Sequence, residues 1–391
     1  MRSLSVAFLC FALALTGCKK SRPPHTIGLA LDVGGRGDQS FNDGALRGLE
    51  AMSAGLKYTA RGYEPLPDAD YNALLPADLR VKGLPHLGIP EPLVLSGKAQ
   101  EDYEPNLQLL VDQGVELVVA VGFMMEPAVR AVASRDLSLV QQKVKPAPTM
   151  FLLLASPVLG NDKKPTTLSN VRAVVFREHE GSFLAGALAG LLTQTGKLGF
   201  VGGMQLPLIK KFEAGFRAGI RTVNPAIAKD VLVAYTGTFD DEKKGIEVGS
   251  DLYGRGCDIV FHAAGLDGLG VIKAAEKAGK LVIGVDSDQA HVAPKNVLTS
   301  MIKRVDLAVY GAVRDVTTGK FTTGDVVLGL AQDAVGLAPV GEQLVVAIPP
   351  EKRAAALAKV AALKLAIVNG KIVVPSNLEE LEKFVPPAEA P

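Results

Sequence analysis

The chain has 391 residues, which is enough for two lobes with separate hydrophobic cores. Its formal net charge is +1 and 21% of its residues are charged, so no field of one sign favours binding to nucleic acid. After the amino-terminal region, no segment runs roughly eighteen apolar residues without a charge, and we expect no membrane span there.

The amino-terminal residues have the pattern of a bacterial lipoprotein leader. Arg2 precedes an apolar run over residues 4–15, which is too short to span a bilayer but has the length of a signal-peptide core. The run ends in Leu15-Thr16-Gly17-Cys18, which resembles a lipobox, where the cysteine thiol carries the lipid. We therefore predict a signal peptide over 1–17 and a lipidated tether over 18–25. The alternative is an ordinary signal peptide with a chance cysteine.

From residue 26 onwards, short apolar runs alternate with amphipathic stretches, which predicts parallel sheets covered by helices. Strands are predicted at 26–32, 117–122, 149–155, 171–176, 197–202, 231–236, 258–263 and 280–286. Helices are predicted at 42–54, 106–113, 178–194, 208–222, 243–253, 268–278 and 301–319, and closing strands at 325–337 and 364–375. Most of these strands end in Gly, Asp or Phe, at the loops where open α/β sheets bind their ligands.

The alternation occurs twice, which predicts two doubly wound parallel-sheet lobes. We expect the amino-terminal lobe over 26–194 plus about 303–322, the carboxy-terminal lobe over 195–302 plus about 338–375, and a tail over 376–391. The segment 61–98 breaks the pattern with six prolines and four glycines. Because loops of this length are functional or disordered, we predict a surface insertion, with a lid over the site as the alternative.

Several segments, most of them at predicted strand ends, match one known family in the same order along the chain. They are DVGGRGDQSFN (32–42), VGFM (121–124), EGSFLAG (180–186), GFVGGM (199–204), KFEAG (211–215), TFDD (238–241), HAAG (262–265), IGVDSDQ (283–289) and LTSMIKRVD (298–306). This chain resembles the basic membrane protein family, whose members are purine-nucleoside-binding lipoproteins and substrate-binding subunits of ABC importers. The resemblance implies a type I periplasmic-binding-protein fold, in which two lobes close on a ligand about a hinge.

The glycine-rich turn at the end of the first strand supplies polar candidates for a ligand site. Asp32 and Asp38 flank this turn, and Ser40 and Asn42 follow it. A carboxylate accepts two hydroxyl hydrogen bonds, which suits a ribose diol. The alternative for both aspartates, and for Asp38 above all, is capping of the helix that starts near Phe41.

Aromatic side chains among polar residues supply a second kind of candidate. Phe41 and Phe239 each follow a predicted strand, where a core aromatic side chain would be out of place. A flat nucleobase between two such rings would be stabilised by stacking. The alternative is that the two rings close the core beneath loops. For Phe123, a ligand wall and a core position are both open.

The second lobe contributes further candidates near the predicted hinge. Asp286 ends a strand and Lys303 opens the predicted helix 301–319, so we predict a second ribose acceptor and its partner or a donor to the ligand. The alternative is an exposed acid and an exposed base. Gly265 would let backbone approach the sugar. After Gly122 and Phe123 the family usually carries an aspartate that reads the base edge, whereas this chain has Glu126, which we predict as a substitute one place earlier.

No pattern in the sequence predicts catalysis. The five histidines are scattered without metal-ligand spacing, and there is no nucleophile elbow and no P-loop. We therefore expect no enzyme activity, no cofactor and no metal. The alternatives are a binder or sensor of a sugar or another small metabolite on the same fold and, more remotely, a nucleoside hydrolase.

The predicted function is that of a monomeric binding lipoprotein. Its expected partners are a nucleoside, the permease subunits of an ABC transporter and a membrane, reached through the lipid, but not nucleic acid. Lys19 follows Cys18 where an inner-membrane retention signal would place aspartate. In a host with two membranes, we therefore expect the periplasmic face of the outer membrane.

Overall fold

The computed structural model describes residues 25–75, 79–80 and 83–387. The predicted leader and Cys18 lie outside these residues. Within them, the chain forms two six-stranded sheets and one two-stranded hairpin, with helices packed on the sheets. This is the predicted α/β architecture.

The first sheet is parallel throughout and carries the amino-terminal end of the described chain. Its strands are β1 (Ile27–Leu31), β4 (Leu93–Ser96), β5 (Leu117–Ala120), β6 (Met150–Leu154), β7 (Val171–Phe176) and β13 (Gly324–Leu328). They lie in the order β13-β7-β6-β5-β1-β4. The central strands are continuous runs of buried Val, Ile, Leu and Ala, as expected for a parallel sheet that is covered on both faces.

The second sheet repeats this construction. Its strands are β8 (Leu198–Gly202), β9 (Leu232–Tyr235), β10 (Ile259–Ala263), β11 (Leu281–Asp286), β12 (Val297–Lys303) and β14 (Val335–Leu337), in the order β14-β12-β11-β10-β8-β9. Only β14 pairs in the antiparallel sense among the described strands of this sheet. The eight strands predicted between residues 26 and 286 are all confirmed, as β1 and β5 to β11.

The helices lie where the amphipathic pattern predicted most of them. They are α1 (Phe41–Leu46), continued by a π-helical segment (Arg47–Ala54), α2 (Asp68–Leu74), α3 (Tyr103–Asp112), α4 (Glu126–Gln141), α5 (Glu178–Leu192), α6 (Pro207–Val223), α7 (Glu242–Gly254), α8 (Asp267–Ala278), α9 (Val305–Thr317), α10 (Pro350–Val368) and α11 (Leu378–Lys383). Helices α2, α4, α10 and α11 were not predicted from the sequence.

Three predictions near the carboxy terminus were wrong. Residues 301–303 end strand β12 rather than opening a helix, because pairing with β11 and β14 outweighs the local helical pattern. Residues 325–337 form two strands in different sheets with a turn of 3-10 helix between them, rather than one strand. Residues 364–368 belong to α10, whose alanine-rich sequence favours helix, and Gly370 follows in a left-handed conformation at φ 71°.

The predicted insertion contains regular structure that the sequence analysis did not predict. Strand β3 (Gly62–Pro65) inside it pairs in an antiparallel hairpin with β2 (Leu56–Thr59), which lies just before the predicted insertion, and α2 follows β3. The end of the segment is β4, which pairs with β1 and forms an edge of the first sheet. The part 93–96 is therefore a sheet strand, and for the residues before it the surface insertion stays a prediction.

Helix α5 packs closely against α6, where glycines replace side chains at the contact. A side chain on Gly186 would lie 1.9 Å from the carbonyl oxygen of Phe216, and one on Gly219 would lie 2.0 Å from that of Phe183. Helix α5 also packs on β12 and β14 of the second sheet. We therefore propose that the second lobe begins at Glu178 rather than after 194. Within the predicted tail 376–391, residues 378–384 pack on α6, where Arg221 donates to the carbonyl oxygens of Leu381 and Phe384.

Candidate functional site

A cleft lies between the carboxyl ends of the two sheets, where parallel α/β sheets place their ligands. It has about 560 Å³ of space between protein atoms, counted out to its open mouth. The residues that line it come from both lobes: Asp32, Val33, Asp38, Phe41, Asn42, Phe123, Leu208, Ile209, Phe212, Phe239, Ala263, Gly265, Val285, Asp286 and Lys303. Nine of the twelve predicted ligand-binding residues are among them.

Asp32 lies directly after β1 and is only 7% exposed. Its Oδ1 accepts hydrogen bonds from the Tyr103 hydroxyl and, at 2.7 Å, from the Val33 amide. Burial raises the pKa of Asp32 to about 6, although both hydrogen bonds act to lower the pKa. Gly122 does not line the cleft, but a side chain there would lie 2.3 Å from Oδ2 of Asp32, so this glycine makes room for the carboxylate.

The side chain of Asp38 caps backbone amides at the start of helix α1. Its carboxylate accepts hydrogen bonds from the backbone amides of Ser40, Asn42 and Asp43 at 2.8–3.0 Å. Burial, with a smaller contribution from the neighbouring Asp43, raises the pKa of Asp38 to about 7. The capping alternative therefore describes the observed contacts of Asp38, even though this side chain also borders the cleft.

Asp286 reaches the site from the opposite lobe. It ends β11 with a left-handed backbone at φ 62°, a conformation that asparagine and aspartate adopt more readily than other residues with side chains. Its Oδ2 accepts a 2.6 Å hydrogen bond from the Ser40 hydroxyl of the first lobe. Burial raises the pKa of Asp286, and Lys303 opposes that rise. Ser40 is fully buried and contributes to the site by holding this carboxylate.

Lys303 is paired with a buried acid beneath the cleft rather than exposed. Its Nζ lies 2.9 Å from Glu178 Oε1, and the side chains are 2% and 0% exposed. Lys211 Nζ lies 3.1 Å from the other oxygen of Glu178. Burial acts to raise the pKa of Glu178, but the two lysines outweigh it and hold the pKa below its usual value. Glu178 was not among the residues predicted for the site.

Aromatic rings form the walls of the cleft. Phe41 packs against Lys303, whose ammonium lies 4.8 Å from the ring centre, within the range of a cation–π contact. Phe123 and Phe239 meet edge to face with centroids 6.5 Å apart. All three predicted rings are half-buried. Phe212 was not predicted as a site residue, although it belongs to the KFEAG segment at 211–215.

Helix α6 contributes an apolar patch that the sequence analysis also missed. Leu208, Ile209 and Phe212 lie on its first two turns and face the cleft. Their spacing on an amphipathic helix is the same for a core face and for a ligand wall, so no sequence signal separates the two. Gly265, with φ 56°, lies beside the carbonyl oxygen of Phe239 and lines the cleft as predicted.

Glu126, predicted to read the base edge, does not line the cleft. It is 5% exposed, and its Oε1 accepts a 2.9 Å hydrogen bond from the Leu159 amide and lies 3.4 Å from Nε of Arg130.

His262 is fully buried, and burial lowers its pKa to about 4, so it is neutral at physiological pH.

The glycine-rich turn is braced by groups outside the cleft. Arg36 makes two hydrogen bonds to Glu50, at 2.6 and 2.9 Å, and its guanidinium lies 4.2 Å from the ring centre of Tyr58. The Tyr63 hydroxyl donates to Glu50 at 2.5 Å. Because Tyr58 and Tyr63 lie on the β2–β3 hairpin, this hairpin supports the loop that carries Asp32 and Asp38.

The two lobes touch at the rim of the cleft. The Gln289 side chain donates to the carbonyl oxygen of Gln39 at 3.2 Å, and the Ser287 hydroxyl donates to that of Ser40 at 3.3 Å. A ring nitrogen of His291 lies 2.6 Å from the side-chain oxygen of Gln39. These contacts, with the Ser40–Asp286 bond, join the two lobes beside the cleft.

Metal-holding clusters and membrane-spanning helices are both absent from the described residues. No group of three or more His, Cys, Asp or Glu side chains in this part of the chain is placed to hold a metal ion. None of its helices combines the length and the apolar character that crossing a membrane requires.

Comparisons with known proteins identify the family. The family described as ABC transporter substrate-binding protein PnrA-like matches residues 26–377. The CD4+ T-cell-stimulating antigen of Listeria innocua is 33% identical over 93% of this chain and 91% of its own length. Basic membrane protein A of Borreliella burgdorferi is 33% identical over 75% of this chain and 80% of its own.

Solved structures agree with this assignment. A solute-binding protein of an ABC transporter system from Aeropyrum pernix superposes with a TM-score of 0.70 at 26% identity, covering 92% of this chain and 96% of that one. One from Conexibacter woesei, at 20% identity and a TM-score of 0.58, shares the fold over 90% of this chain and 98% of its own. The fold is the predicted type I periplasmic-binding-protein fold. The chain belongs to the PnrA-like family of ABC transporter substrate-binding proteins, the basic membrane protein family that its sequence resembles.

Proposed function

We propose that the cleft binds a nucleoside for import, with the base between aromatic side chains and the ribose against carboxylates. The family implies a small-molecule ligand and permease partners, but it leaves the ligand open. The observation that carries the proposal is the pairing of two chemistries in one cleft. Rings from both lobes line it, together with the carboxylates of Asp32 from the first lobe and Asp286 from the second.

The mechanism is closure of the lobes about the hinge. Ligand contacts to both lobes are made together only in the closed form, so binding energy shifts the population towards closure. The closed form then presents both lobes to the permease subunits. No bond of the ligand is broken in this scheme, and the family is one of solute-binding proteins rather than enzymes.

Two other functions make different predictions. A sugar binder on the same fold would bind ribose more tightly than inosine. A nucleoside hydrolase would release free base from inosine. Calorimetry with inosine and ribose, followed by chromatography of the mixture, tests all three. Tight inosine binding without hypoxanthine release supports the proposal, whereas tighter ribose binding or hydrolysis contradicts it.

Replacement of the stacking rings should weaken binding without unfolding the protein. Phe41→Ala and Phe239→Ala should each lower nucleoside affinity by roughly 1–3 kcal/mol, because each removes one face of the base stack. Calorimetry measures the affinity, and thermal unfolding of the free protein is the control. A large loss of stability with unchanged affinity would identify the rings as core residues.

Binding should weaken in mild acid. Burial raises the pKa of Asp32 to about 6. Only its ionised form offers a charged acceptor, so the contribution of Asp32 should make the affinity fall by about tenfold between pH 7 and pH 5. Titration calorimetry across this range measures the effect, and Asp32→Asn, which cannot ionise, should flatten the profile. An equally steep profile for Asp32→Asn would assign the dependence to another group.

We also propose that Cys18 is lipidated and anchors the protein at the cell envelope, facing the periplasm from the outer membrane in a host with two membranes. Cys18→Ala should leave the chain unprocessed or release it from the membrane, because the lipid is attached at the thiol. Membrane fractionation and the mass of the mature chain test this expectation. A processed, membrane-bound Cys18→Ala chain would contradict it.

The monomeric state of the protein stays a prediction.

A further inference from the structure

We propose that the cleft accepts pyrimidine as well as purine nucleosides, because no side chain in it is free to read the pairing edge of the base. This inference rests on the proposed nucleoside function and names the class of substrate. It follows from the hydrogen bonds of the polar side chains that line the cleft, all of which the structure describes. These are Asp32, Asp38, Asn42, Asp286 and Lys303.

The carboxamide of Asn42 is already used. A carboxamide offers a donor beside an acceptor, so it can tell one base edge from another through two hydrogen bonds. In this cleft its Oδ1 accepts from the Asp32 amide at 3.1 Å, and its Nδ2 donates to Asp38 Oδ2 at 3.1 Å. Among the residues that line the cleft, no other side chain carries an amide. No side chain of the lining is therefore free to read the base through two hydrogen bonds.

The two acids that could supplement Asn42 are occupied as well. Both oxygens of Asp38 accept from amides at the start of α1. Glu126 lies outside the lining, held by the Leu159 amide and Arg130. Neither carboxylate can turn towards a base without breaking these buried hydrogen bonds.

The remaining polar groups do not distinguish bases. Ionised Asp32 and Asp286 only accept hydrogen bonds, and Lys303 only donates them. Every common base carries at least one N–H group and at least one acceptor on its pairing edge. A single acceptor or donor therefore finds a partner on each of them, whichever end of the nucleoside it meets.

The apolar lining is equally tolerant. Stacking on Phe41 and Phe239 depends on the flat face of the base, which every base possesses. A site that hydrogen-bonds a particular polar group rejects analogues lacking it by large factors, whereas an apolar wall discriminates weakly. Selectivity should therefore come from hydrogen bonds to the sugar, whereas the base should be bound by stacking on its two faces.

Matched pairs of nucleosides separate edge reading from stacking. Adenosine and inosine share a purine ring but have reversed donor and acceptor patterns, and cytidine and uridine are the corresponding pyrimidine pair. Calorimetry on the full chain in detergent, after removal of co-purified small molecules by dialysis, should detect binding of all four. The dissociation constants should differ by less than about tenfold within each pair. Glu126→Gln, which keeps an acceptor for the Leu159 amide, should leave both ratios unchanged.

The possible results are distinct. A ratio above about tenfold within either pair, or binding of the purine pair alone, overturns the inference while the nucleoside function stands. A changed ratio in Glu126→Gln overturns it too, because Glu126 would then read the base. Failure of all four nucleosides to bind overturns the proposed function and this inference with it.

Discussion

Asp286→Asn should lower the affinity for ribonucleosides by roughly 10–100-fold, because a hydrogen bond to a charged acceptor contributes about 1.5–3 kcal/mol. Asparagine tolerates the left-handed backbone at φ 62°, whereas alanine would add backbone strain. The variant should also bind inosine and 2′-deoxyinosine more nearly alike, while Phe41 and Phe239 retain affinity for the base. Titration calorimetry of wild type and variant with inosine, 2′-deoxyinosine and hypoxanthine measures all three effects.

A nearby acid provides the control for this experiment. Asp288 lies two residues further along the chain and is exposed. Its Oδ1 accepts a 3.0 Å hydrogen bond from the Ala290 amide, outside the cleft. Asp288→Asn should leave the three affinities unchanged. Equal affinity of the wild-type protein for all three compounds would show that the carboxylates do not read the sugar, and the nucleoside proposal would lose its main physical support.

Glu178→Ala should destabilise the protein by about 3–5 kcal/mol, because it leaves Lys303 and Lys211 without their shared buried counter-ion. The pKa of Glu178 is held below its usual value. Ionisation of Glu178 therefore stabilises the fold above the ordinary pKa of 4.5, and this contribution is lost as the pH falls through the lower pKa of the folded state. The difference in the free energy of unfolding between wild type and variant should accordingly be largest at pH 7 and become smaller in strong acid.

Denaturant unfolding followed by circular dichroism measures this free energy. The exposed pair of Asp251 and Arg255, 3.3 Å apart with side chains 62% and 54% exposed, provides a matched comparison. Asp251→Ala should change the free energy of unfolding by no more than about 1 kcal/mol, because water already solvates both charges. If the two variants had equally small effects, the Glu178 cluster would not contribute to stability as its burial indicates.

The strands of this fold were predictable because buried parallel strands are continuous apolar runs between turn residues. Strand β4 was missed because its four residues follow a proline-rich segment, and only pairing with β1 makes them a strand. The end of β12 was assigned to a helix because residues 301–303 continue the periodicity of α9. Long-range pairing decided both cases, and local sequence does not record it.

The site was predictable where it lies at strand ends and not where it depends on side-chain orientation. Asp32 follows β1 and Asp286 ends β11, so the topology places them at the carboxyl ends of the strands in the two sheets. Glu126 lies only a few residues after Gly122 and Phe123 in sequence. Its carboxylate nevertheless accepts a hydrogen bond from Leu159, more than thirty residues away, and not from a group in the cleft. Phe212 and the Lys303–Glu178 pair depend on contacts between elements that are remote in the chain.

The path of the chain has a consequence for how the protein folds. It passes between the lobes three times within the described residues, after β7, after β12 and after β13. Strand β13, which forms one edge of the first sheet, and helix α9 both lie within residues 305–328. These residues follow most of the second lobe in sequence. An emerging chain cannot finish its first lobe before it has made much of its second, so the two lobes should acquire their native structure together rather than one after the other.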